Sequence, residues 1–132
     1  MLRPQDRRRS LEDLDGERWG NPPLGATRLV AEVHRLRRTP VGELTIEDLR
    51  LLIGQGIALH RLVPLALERL RADPLAAGDL YEGDLLSTVL RIEAGFWRRH
   101  EELAAELART VDGLADPPSE VAAGIERFRS RT

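Results

Sequence analysis

Helix breakers cut this chain before any one helix can dominate it. Asn21-Pro22-Pro23, Pro40, Gly54 with Gly56, Asp73-Pro74 and Pro117-Pro118 fall at intervals along a sequence otherwise rich in leucine, alanine and charge. Proline fixes its own φ, removes an amide donor and pushes the preceding residue out of the helical region. Between the breaks, apolar residues recur at helical spacing, and with aromatics at only 4% there is little to favour strands. The pattern predicts an all-α fold, a compact single-domain bundle of about six helices with irregular loops.

Ser10 and Asp13 have capping-box spacing ahead of a short turn. A first full helix is expected from about 27 to 37, with Leu29, Val30, Val33 and Leu36 turned inward. Thr45 caps the next, whose buried stripe is Ile46, Leu49, Leu52 and Ile53. Pro64 suits the first turn of a third helix carrying Leu67 and Leu70. An irregular acidic connection spans 73–84. Asp84 then caps a helix with Leu85, Leu86, Val89 and Leu90, and Gly95 separates it from a longer one with Phe96, Trp97, Leu103 and Leu107. After the second proline pair, Val121, Ile125 and Phe128 define a weak amphipathic helix that docks late or hangs loose. The expected organisation is a flexible N-terminal arm over 1–9, a helical domain over 10–115 and a C-terminal helix over 116–132. The expected core is Val33, Leu36, Leu49, Ile53, Leu67, Leu70, Leu86, Val89 and Trp97.

Composition narrows the chemistry. At 132 residues and 42% hydrophobic content, one domain of this size buries about two thirds of its unfolded surface without a staple. The absence of cysteine removes disulfides, thiolate metal sites and a cysteine nucleophile, and agrees with a reducing compartment, so cytoplasm is the expected location. Residues 1–10 carry arginines without an apolar stretch behind them, and no apolar run reaches membrane-spanning length. Every basic residue is arginine, yet the net charge is -2 and acids are interleaved with bases, which argues against a nucleic-acid surface. His34, His60 and His100 lie far apart, none with a second histidine at ligand spacing. Gly54-Gln55-Gly56 lacks the third glycine of a dinucleotide loop and follows no strand, and neither a P-loop nor a serine elbow is present. No catalytic, cofactor or metal residues are therefore expected, and the chain reads as a binding protein rather than an enzyme. A regulatory or nucleic-acid-associated helical protein is the alternative raised by the arginines at 7–9 and 35–38, and a subunit of a larger helical assembly is a third.

An ordered series of segments then resembles one family. Ser10-Leu11-Glu12-Asp13-Leu14, Trp19-Gly20, residues 34–40 and residues 44–50 begin it. Ile53-Gly54-Gln55, residues 62–67, Asp73-Pro74-Leu75-Ala76, residues 78–86 and Phe96-Trp97 continue it in the same order. Over about 10 to 100, the chain is similar to the immunity proteins of contact-dependent growth inhibition systems. Gly56 and His60 stand where larger or aromatic residues are expected, and the tail after about 110 has no counterpart. The resemblance implies a helical protein that binds a cognate toxin domain, in some cases a nuclease, and blocks its active site or substrate access; the free protein is expected to be a monomer. It implies no catalytic residues and no cofactor, nucleic-acid or membrane partner. Within such a protein the acidic connection is the expected contact: Asp79, Tyr81, Glu82 and Asp84 lie in the longest one-sided stretch of charge, with Arg50 and Gln55 on the next candidate face.

Overall fold

Three helices start on the caps that the sequence advertises. In the computed structural model, which describes residues 3–131, helix α1 (Leu11–Asp15) opens on Ser10, whose hydroxyl accepts the Asp13 amide at 3.2 Å while Asp13 takes the Ser10 amide at 3.3 Å. Helix α2 (Arg28–Arg37) opens on Thr27, which accepts the Val30 amide. Helix α3 (Ile46–Gly54) repeats the reciprocal box with Thr45 and Asp48 at 3.0 and 3.1 Å. Each such cap satisfies amides that the first turn cannot. Short 3-10 turns at Pro4–Arg8 and Val41–Glu43 lie together, joined by the Val41 amide on the Arg9 carbonyl.

The next helices depart from the expected boundaries. Helix α4 (Leu59–Ala72) begins after Ala58, held at φ +46°, so Pro64 lies inside it rather than in its first turn. Leu62 and Val63, both fully buried, need helical register ahead of the proline. The cost is the helical donor for the His60 carbonyl, lost on an exposed turn. Helix α5 (Asp84–Leu90) starts with Asp84 as its first residue, after Gly83 in the left-handed region at φ +84°. Helix α6 (Ala94–Arg99) contains Gly95, which does not separate helices as expected; the breaks fall at residues 91–93 and at His100, where φ is -135°. Helix α7 (Glu101–Asp112) follows directly, with the His100 ring stacked on Phe96 at 4.4 Å. Helix α8 (Ser119–Arg131) completes an all-α fold of eight α-helices, without a strand among the described residues.

The core is organised around α5. All of its residues are buried, as expected for a helix surrounded on every side, and it touches α3, α4 and α8. Gly124 lets α8 come close, because a Cβ there would already sit 3.3 Å from Leu90 Cδ1. Val121, Ile125 and Phe128 of α8 are buried, and Phe128 meets Trp97 edge-on at 5.6 Å. Helix α4 bridges α3 and α7. Every residue of the expected core is buried, whereas Leu29 and Val30 are not: they are 40% and 39% exposed. Helix α2 packs on α3, and Leu29 of its first turn stands at the rim of an open depression between the two helices.

Leu67 sits on the inner face of α4 with no exposed surface. Leu67→Asp places an unpaired charge there at a cost of several kcal/mol, about the stability of an ordinary domain. Loss of the helical circular dichroism signal and of a cooperative melt is the expected outcome.

Candidate functional site

The acidic connection is a built loop rather than a slack one. Asp84 is 1% exposed, and its carboxylate accepts the amides of Gly78 at 2.7 Å, Leu80 at 2.9 Å and Tyr81 at 3.4 Å. This pattern ties the loop to the first turn of α5. A second carboxylate arrives from α3, where Glu47 accepts the Asp79 amide at 2.8 Å. Arg50, one turn along the same helix, donates its Nε to Glu47 at 2.7 Å and lies 3.9 Å from Asp84. Bidentate guanidinium–carboxylate geometry of this kind is the strong form of a salt bridge.

The charge pattern follows from that geometry. The hydrogen bond from Arg50 holds the Glu47 carboxyl below its ordinary value of 4.5, aided by the Asp79 amide and opposed by burial. Glu47 in turn raises the Arg50 guanidinium further above its ordinary value, with smaller contributions from Asp84 and Asp79. The close approach of α3 to the loop depends on Gly78: a Cβ there would stand 2.5 Å from Glu47 Oε1 and 3.2 Å from the Glu47 Cα. At the other end of the loop, the Gly83 amide reaches the Leu75 carbonyl at 3.1 Å, and a Cβ on Gly83 would stand 2.7 Å from Val121 of α8.

The site residues expected from the sequence divide into two kinds. Asp84 and Arg50 are inward-facing and hold the loop together, so Asp84 neither caps α5 nor stands at the surface. Asp79 and Glu82 are exposed at the tip, and neither carboxylate takes part in a hydrogen bond or ion pair. Tyr81 is half-buried. The apolar residue presented to solvent is instead Leu80, 61% exposed. Leu80, Glu47 and Gly78 were not singled out by sequence: Leu80 lies inside the irregular connection, and Glu47 reads as a dipole-favoured acid in the first turn of α3. A glycine beside Asp79 was the available hint of a close approach.

Two depressions flank the tip. One, of ≈ 740 Å³, brings Arg50 and Gln55 together with Leu80, Leu59, Arg91 and Ile92. The other, of ≈ 540 Å³, places Asp79 among Leu29, Glu32, Glu47 and Asp48. The loop tip is the ridge between them. Among the described residues, no group of three or more histidines, cysteines or carboxylates is placed to hold a metal ion, and no helix is long and apolar enough to cross a membrane.

Across residues 13–107 the chain matches the family model described as CDI immunity proteins. No curated protein matches the chain.

Two outcomes test the loop's construction. Gly78→Ala forces the loop away from Glu47 and should cost about 1–3 kcal/mol in urea unfolding, as overpacking does. The lowered Glu47 pKa means that its contribution to stability is present above 4.5 and is lost as pH falls through the folded value. Glu47→Gln should therefore be less stable than the parent at neutral pH and lose less stability on acidification, measured as the urea midpoint against pH.

Proposed function

This chain belongs to the family of CDI immunity proteins, whose members bind a cognate toxin protein, and from that premise we propose that it neutralises its toxin by covering the active site or the substrate's path to it. The observation that carries the reading is the loop tip. Leu80 is held out in solvent between two exposed carboxylates, Asp79 and Glu82, on a segment fixed from beneath by Asp84 and Glu47. A pre-ordered apolar anchor loses little entropy on binding, and the carboxylates around it steer and orient a positively charged partner. Toxins that act on nucleic acid or nucleotides carry positive active sites, so a nuclease domain fits this face.

The contact set comprises Asp79, Leu80 and Glu82, with the accessible edge of Tyr81 and, behind the tip, Gln55. Arg50 and Asp84 serve it by positioning the loop. The role is inhibitory binding without a catalytic step of its own, performed in the cytoplasm by a monomer that pairs with its toxin.

Converting Asp79 and Glu82 together to arginine should leave the melting temperature nearly unchanged, since neither side chain holds the fold. Association with the cognate toxin domain should slow, and affinity should fall on the order of tenfold or more, most visibly at low salt. Wild-type binding kinetics and full protection of cells by the double variant would place the contact on another surface.

A further inference from the structure

The groove behind the loop tip carries the opposite charge from the tip itself. It opens between the end of α3, the start of α4 and the end of α5. Three charged residues line it. Arg50 is committed to Glu47, and Glu93 is committed to Arg99 at 3.2 Å. Arg91 donates its Nε to the Ser87 carbonyl at 3.3 Å and has no carboxylate partner, which leaves the groove with an uncompensated positive charge. The exposed amide of Gln55 stands on the same wall.

The floor is bare for a specific reason. A Cβ at Gly54 would meet only Thr88 Cγ2, at an ordinary 3.7 Å, and one at Gly56 would meet nothing within 4 Å. These two glycines leave volume that their own fold does not fill. Around that volume stand Leu59 and the exposed Leu80, over a base formed by Ile53 and Ile92. An apolar partner side chain would find contact there, but one without a charge would bury Arg91 beside it unpaired. A basic side chain would be repelled by it.

We propose that this groove receives from the toxin an apolar side chain with a neighbouring carboxylate, the carboxylate paired with Arg91 and Gln55 and the apolar group seated against Leu59 and Leu80. The inference rests on the toxin-binding reading of this face and goes further by fixing its polarity. Acid at the tip and base in the groove form a dipolar contact that one orientation of a partner satisfies and the reverse orientation violates. Arg91 and Gly54 thereby become determinants of which toxin is recognised.

The experiment measures binding of the full chain to the purified cognate toxin domain, by calorimetry, for the parent, Arg91→Glu and Gly54→Leu. Gly54→Leu fills the groove from its floor while adding a good helix former to the last turn of α3, so its melting temperature should equal or exceed the parent's. Arg91→Gln, which keeps a polar side chain without the charge, covers any loss of folding in Arg91→Glu. Both Gly54→Leu and the Arg91 variants should bind more weakly, on the order of tenfold or more. Reversal of one toxin carboxylate to arginine should restore binding to Arg91→Glu and identify the residue it pairs with. Parent-like affinity in all these variants, with weakened binding by the Asp79 and Glu82 reversal, would overturn the groove and leave the toxin-binding reading standing. Tighter binding by Arg91→Glu would show a basic segment in the groove and overturn the polarity. Absence of binding by the parent would overturn both.

Discussion

A buried carboxylate at the head of a fully buried helix is the constraint that shapes most of this molecule. Removing Asp84 from water carries a penalty of several kcal/mol unless its oxygens are satisfied. Three loop amides and the nearby Arg50 guanidinium supply that satisfaction. The loop must therefore fold over the start of α5, and α3 must present Arg50 and Glu47 on the side facing it. The same bonds that make the central helix tolerable thus fix the position of the acidic loop tip. Stability and recognition share one set of side chains, with the division between them drawn by exposure: Asp84 serves the inside, Asp79 and Glu82 the outside.

The legible part of the fold was the part governed by local rules. Ser10, Thr27 and Thr45 have the right hydroxyls ahead of amphipathic runs, and each begins a helix in the structure. Leucines at helical spacing identified the core because inward position and burial coincide for a helix with a full set of neighbours. Leu29 and Val30 show where that inference stops, since their periodicity is sound but both stay exposed in the first turn of α2. Pro64 shows a second limit. Its preference for a first turn is weaker than the demand to bury Leu62 and Val63 in helical register. Gly95 behaves likewise, tolerated inside α6 where Phe96 and Trp97 both turn inward.

The site was less legible for a related reason. Sequence located the acidic stretch and gave Asp84 a helix-capping role, but still set it beside Asp79 as a contact residue, because nothing local shows that its carboxylate organises the loop from within. That distinction depends on Glu47, thirty-two positions from Asp79 in sequence, and on a glycine whose missing Cβ admits α3. Leu80 was missed for another reason. Its outward position is set by the loop's own hydrogen bonds, which no local pattern announces.

The region of family likeness ends at residue 107, partway through α7, yet α8 lies against α5 with Val121, Ile125 and Phe128 buried. The unit that inheritance marks and the unit that folds are therefore different lengths of chain. Beyond the matched region the chain is tied, at Gly124 and Val121, to the shape of Leu90 and Gly83. A chain cut at the family boundary would strip one wall from the central helix.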